Sequence, residues 1–166
     1  MKVIFDYIFM KKHINIFFFV AAMTLLLASC GKRTLIDETH SFANDTWKRF
    51  EPEVFNFDVK NVDVPYVVTL TLSYDTTLVT GAALPLVVEF FADSNARHTL
   101  FPSIMLTDRS GHRKGSTVER YCTVVDTIDN CRFFNEVGTF TYRVKQRTSK
   151  YEIGGIATLG MKVSEL

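Results

Sequence analysis

Charge of one sign is what this 166-residue chain lacks: 19 Lys and Arg face 18 Asp and Glu, a formal net charge of +1. No basic patch dominates, which argues against nucleic acid as a partner. Cysteine is scarce, with three in the whole chain, so the fold does not rest on a disulfide framework. Catalytic signatures are missing too. There is no Gly-x-Ser-x-Gly, and Ser110 and Ser116 flank an ordinary turn. His40, His98 and His112 stand at no metal-ligand spacing, and the acidic residues are scattered singly. These absences predict a protein that is not an enzyme and that holds no metal or cofactor. No window has the period of an amphipathic helix of three or more turns.

Long apolar runs are also absent, with one exception that organises everything else. Lys11 and Lys12 precede an apolar run, Ile14 to Ala28, interrupted by Asn15 and Thr24 and ending in Leu27-Ala28-Ser29-Cys30. A basic start, a short apolar core and small residues at a cleavage point make a secretory signal. The cysteine directly after them makes it a bacterial lipoprotein signal, with Cys30 lipidated as the first mature residue. The run is shorter than the ~20 residues that span hydrocarbon, which disfavours a permanent transmembrane helix. Residues 1–29 are therefore read as the signal, with Met10 a better initiator than Met1 because signal n-regions are short and basic. Lys2, Lys11, Lys12 and Asp6 leave with it, so 137 mature residues carry 16 Lys and Arg against 17 Asp and Glu, a net charge of −1. Contact with the bilayer is then through lipid alone. Residues 30–45 show no periodicity and read as a flexible tether, and residues 46–166 as one domain. No dense acidic run follows Cys30, which favours a periplasm-facing position at the outer membrane.

Alternation of apolar and polar residues carries the fold. Phe55, Phe57 and Val59 alternate with Asn56, Asp58 and Lys60, and Tyr66, Val68, Leu70, Leu72 and Tyr74 form one face of the cleanest strand. Leu84 to Phe91 is apolar on both faces apart from Glu89, as a central strand would be, with Pro85 near its start. Further strands are predicted at Phe101–Thr107, Thr139–Arg147 and Ile156–Val163, and Val118–Val125 with Cys131–Phe134 read as hairpin partners. About seven or eight strands with frequent turns predict an antiparallel β-sandwich, jelly-roll or immunoglobulin-like, with a small barrel as the alternative. Cys122 and Cys131 flank Asp126-Thr127-Ile128-Asp129-Asn130. That spacing fits facing positions near the base of a hairpin and hence a disulfide. The alternative is two small residues that never meet.

Two surface readings follow. The turn Gly111-His112-Arg113-Lys114-Gly115 reads as a charged hairpin tip rather than an anion site. A glycan-binding module would need two or three coplanar exposed rings, for example among Trp47, Tyr66, Tyr74, Tyr121 and Tyr142.

The C-terminal third runs Gly138-Thr139-Phe140-Thr141-Tyr142-Arg143-Val144-Lys145-Gln146, then Gly155-Ile156-Ala157-Thr158-Leu159-Gly160-Met161-Lys162-Val163. Together with the signal, Trp47 near the mature start, a Phe-rich first strand and the Asp108-x-x-Gly111 turn, this resembles the GldH gliding-motility lipoprotein family of the Bacteroidetes. On that resemblance Trp47, Gly138, Tyr142, Gln146, Ile156 and Gly160 are the family-motif residues. It implies a non-enzymatic lipoprotein of gliding or secretion machinery, held to the membrane by Cys30 and acting on other envelope proteins through a sheet edge or apolar patch. The alternative is a lipid-anchored glycan-binding module assisting polysaccharide capture.

Overall fold

The computed structural model describes residues 32–92 and 95–166; Cys30 and the segment read as its signal lie outside the described residues. Among the described residues twelve strands follow in order: β1 (Thr34–Ser41), β2 (Thr46–Lys48), β3 (Glu53–Val59), β4 (Tyr66–Asp75), β5 (Ala83–Ala92), β6 (Asn95–Leu100), β7 (Ser103–Met105), β8 (Ser116–Val118), β9 (Tyr121–Arg132), β10 (Gly138–Gln146), β11 (Glu152–Gly154) and β12 (Ile156–Glu165). One sheet has the order β1-β12-β4-β9-β8. The second runs β3-β10-β5-β6, with β7 also on β5, and β2 pairs with β11 in a separate ribbon. All these pairings are antiparallel.

The pairings are nested: β1 takes β12, β3 takes β10, β4 takes β9, and β5 takes β6. Successive strands change sheets at β3–β4, β4–β5 and β9–β10. A long hairpin of this kind, rolled into two packed sheets, is a jelly roll. The strand order thereby decides between the two sandwich types that alternation alone leaves open.

Alternation places the core as expected. Tyr66, Val68, Leu70, Leu72 and Tyr74 of β4 are all buried, and so are Leu84, Leu86, Val88, Phe90 and Ala92 of β5. Removing each of the large ones from water contributes about 1.5–3 kcal/mol. β5 is central, between β10 and β6, and its second face is half-buried, which explains its apolar residues on both sides.

Two sequence expectations are corrected. Residues 34–41, read as part of a tether, are β1, paired with β12 from Thr34↔Ser164 to Ser41↔Thr158. The compact unit accordingly begins at Arg33, not at residue 46. β1 hides from periodicity because it is an edge strand: charged residues protect it from stray pairing, and a register shift between Thr34 and Ile36 breaks its alternation. The second correction concerns the cysteines. Cys122 and Cys131 are free and lie on one strand, β9, where Cys122 faces Tyr74 and the neighbouring Arg132 faces Tyr66, at opposite ends of β4. Nine steps of extended chain hold their Cα atoms about 30 Å apart, far beyond the ~7 Å limit for a disulfide. The polar stretch read as a turn is absorbed by register shifts opposite Tyr66, Val68 and Thr69. The hairpin partner of β9 is instead β8.

Candidate functional site

The family-motif residues turn out to build structure. Tyr142 and Ile156 are fully buried, Gly138 opens β10, and a Cβ on Gly160 would stand 2.8 Å from Thr39 Oγ1 on the neighbouring β1. Trp47 is fully buried, stacks on Phe42 at 5.1 Å and donates its indole N–H to Glu51 O at 3.3 Å. Gln146 holds the turn after β10: its Oε1 accepts from Thr148 N and Oγ1 at 2.9 and 2.6 Å, and its Nε2 donates to Lys150 O. Trp47 and Gln146 thus fix the two arms of the β2–β11 ribbon from below.

That ribbon presents two large rings. Phe50 and Tyr151 are 72 and 63 % exposed, with centroids 6.0 Å apart, and the Arg49 guanidinium lies 5.7 Å from the Phe50 centroid. Arg49 N donates to Tyr151 O at 2.8 Å, which locks the two turns together. Beside the rings opens a groove of about 490 Å³ whose walls include Phe42, Asn44, Lys48, Glu51, Glu53 and Glu152. Three carboxylates against one lysine make it acidic. Lys48 pairs with Glu51 at 2.9 Å.

His40 of β1 bridges the two sheets through Glu53, one of the groove's wall residues. Its Nδ1 lies 2.6 Å from Glu53 of β3 and its Nε2 3.0 Å from Glu38, and its ring stacks on Phe55 at 4.5 Å. Burial pulls the imidazole pKa down, but hydrogen bonds and charge from Glu38 and Glu53 outweigh it, and the net shift is upward.

The loops at this end are held by polar side chains. Asp75, buried by its own loop, accepts from Thr77 N and Oγ1 at 2.8 and 2.6 Å and meets Arg120 Nε at 3.2 Å. The Thr77 hydrogen bonds, with Arg120 behind them, hold its carboxyl below the usual range. Gly155 (φ +87°) approaches closely here; a Cβ on it would lie 2.8 Å from Leu78 Cβ. Arg113 donates to Thr76 O at 2.7 Å and reaches Val79 O and Tyr74 Oη. It is a loop clasp, which leaves the 111–115 turn without a free guanidinium for an anion. His112 sits on that turn, its N–H donating to Asp108 at 2.9 Å.

The opposite end is closed by rings. Phe134, between β9 and β10, packs against Phe57, Tyr66, Phe90 and Phe140 at centroid distances of 4.9–5.8 Å. A cleft of about 230 Å³ opens beside it, with His98, Arg132 and Phe133 among its walls. Arg132 pairs with Asp129 at 2.8 Å and lies over Phe90. The Tyr142 hydroxyl, buried near Arg132 without a well-aligned partner, is pushed up to about 12, chiefly by burial.

Among the described residues no group of three or more His, Cys, Asp and Glu is arranged to hold a metal ion. The glycan platform also fails to form from the rings named for it. Trp47, Tyr66, Tyr74 and Tyr142 are in the core, and Tyr121 is tied by its hydroxyl to Asp45 at 2.7 Å. The exposed Phe50–Tyr151 pair, inclined at 54°, is no flat surface either. Sequence reasoning missed this pair, since neither ring lies in an alternating strand.

Fold and surface together define a jelly-roll β-sandwich with an exposed aromatic ribbon. Comparison with known proteins narrows this. The family model for the GldH lipoprotein matches residues 34–163, and the chain belongs to that family. The family is not known as enzymatic, and its lipoprotein character implies lipid-anchored residence in the cell envelope. Among curated proteins, methylthioribose kinase 1 of Oryza sativa subsp. japonica is 30 % identical over 88 residues, 52 % of this chain. The match covers only 19 % of the kinase's length. Among solved structures, dimeric latent PorU of Porphyromonas gingivalis aligns with 82 % of this chain and 14 % of its own at a TM-score of 0.34 and 6 % identity. Neither likeness bears on function.

Proposed function

We propose that the protein is a non-enzymatic lipoprotein, anchored by lipid on Cys30 to the periplasmic face of the outer membrane. It serves gliding-motility or secretion-type machinery through contacts with other envelope proteins. Family membership supports the setting, and one observation carries the mode of action: the Phe50–Tyr151 pair stands exposed beside an acidic groove. Paired exposed rings flanked by an arginine are what interface anchors are made of, and the groove suits a partner segment with basic side chains.

The test is crosslinking in living cells with a C-terminally tagged protein, followed by identification of enriched partners. Recovery of motility-type or secretion lipoproteins, lost when Phe50→Ser and Tyr151→Ser are combined, is the expected result. Recovery of polysaccharide-uptake proteins, or of nothing beyond background, overturns the reading.

A further inference from the structure

Arg33 is already part of the fold: its carbonyl accepts from Glu165 N at 2.8 Å, and Thr34 begins β1. Only Gly31 and Lys32 separate it from Cys30. Three Cα steps span at most about 11 Å. That is little more than the headgroup layer, which adds about 5–7 Å on each side of the hydrocarbon core. A lipid on Cys30 therefore leaves no slack, and the end of the sandwich where β1 starts must lie on the bilayer.

Strand register shows what else lies at that end. Thr34 pairs with Ser164, Glu165 with Tyr66, and Tyr66 with Arg132, so the row crosses the sheet from β1 to the last residue of β9. Three strand spacings make this about 14 Å. From Arg132 the chain crosses to the second sheet through residues 133–137, and Gly138 pairs with Val59. In that connection Phe134 turns inward and is buried, whereas Phe133 and Val137 turn outward, 53 and 64 % exposed. Nothing in the packing of the sandwich calls for an exposed Phe and Val there.

We infer that this end docks on the phospholipid headgroup layer, with Phe133 and Val137 inserted among the headgroups. The inference rests on lipidation of Cys30. Apolar side chains on a short turn insert at the headgroup–acyl boundary, to a depth of ~5–10 Å. Lys32, Arg33 and Lys60 lie at this end, but so do Asp63, Glu165 and Glu136 of the turn itself, so insertion of the two apolar side chains rather than charge attraction drives the contact. The orientation follows: β4 stands roughly along the membrane normal, and its ten residues raise the Phe50–Tyr151 ribbon about 30 Å above the surface.

The protein carries its own probe. Cys131 is exposed beside Phe133, whereas Cys122 is buried with its thiol donating to Lys114 O at 3.1 Å. The lipid-modified protein, purified from membranes, is labelled at Cys131 with an environment-sensitive fluorophore. It is then reconstituted in phosphatidylethanolamine–phosphatidylglycerol vesicles containing headgroup nitroxide lipid. A Cys131→Ser, Ser149→Cys variant carries the label at the other end. With ~30 Å between the ends, quenching at Cys131 is expected to exceed that at position 149 by roughly threefold or more. Phe133→Ser with Val137→Ser should reduce the Cys131 signal while the protein still floats with the vesicles. Flotation with equal or absent quenching at both positions overturns end-on docking alone. A protein that does not float, with an unmodified N-terminal peptide by mass spectrometry, overturns the Cys30 anchor and this inference with it.

Discussion

Where β1 begins, the sandwich is closed by Phe134 among rings from both sheets; at the far end Asp75, Arg113 and Gln146 hold three loops by hydrogen bonds. The two closures do different work. Ring packing is non-directional: it seals the core but dictates little about the backbone above it. Buried hydrogen bonds to main-chain groups fix individual turns, because each partner must be met at a set distance and angle. Side-chain hydrogen bonds thus set the turns at the end that displays the Phe50–Tyr151 ribbon, whereas ring packing seals the core at the end where β1 begins.

Substitutions can break this contrast in order of expected size. Phe134→Ala empties the ring cluster and should cost about 3–5 kcal/mol, measured by denaturant unfolding. Its effect should be global, with no selective loss of partner crosslinking at the ribbon. Asp75 makes a contribution that depends on pH. With its native pKa depressed, that contribution is complete above the unfolded value of about 3.9 and fades as pH falls through the lower native value. The wild-type melting temperature should therefore fall on acidification below about pH 4 by more than that of Asp75→Asn, whose own loss is already present at pH 7. Thermal melts at pH 7 and pH 3 separate the two.

The smallest effect belongs to His40, and it has the opposite sign. Its native pKa is raised, so its contribution is complete below about pH 6.5 and fades as pH rises through the higher native value. His40→Gln should flatten that dependence in melts taken between pH 5.5 and 8.5. Water reaches the half-exposed Glu38 side of the bridge, which keeps the effect modest.

These sites also mark what was legible in the sequence. β4, β5, β10 and β12 follow from alternation because each has one face on the core, and burial enforces a period of two. The edge strand β1 and the three-residue strands β2, β7, β8 and β11 take their conformation from a neighbour rather than from their own pattern, so nothing local announces them. The polar run 126–130 has turn chemistry, yet β9 continues through it; pairing with β4 overrides the local preference and the mismatch survives as register shifts. The motif residues Trp47 and Gln146 were legible as residues of note, but their role as supports beneath the ribbon depends on contacts that no spacing encodes.

The nesting of the strands has a consequence in time. Because β1 pairs with β12, the first strand of the sandwich to be made waits for the last before its ladder can form. Topologies dominated by such distant pairings fold slowly, since the closure entropy of the whole chain is spent before any contact returns it. The N-terminal strand is then the last piece of the jelly roll to be locked in.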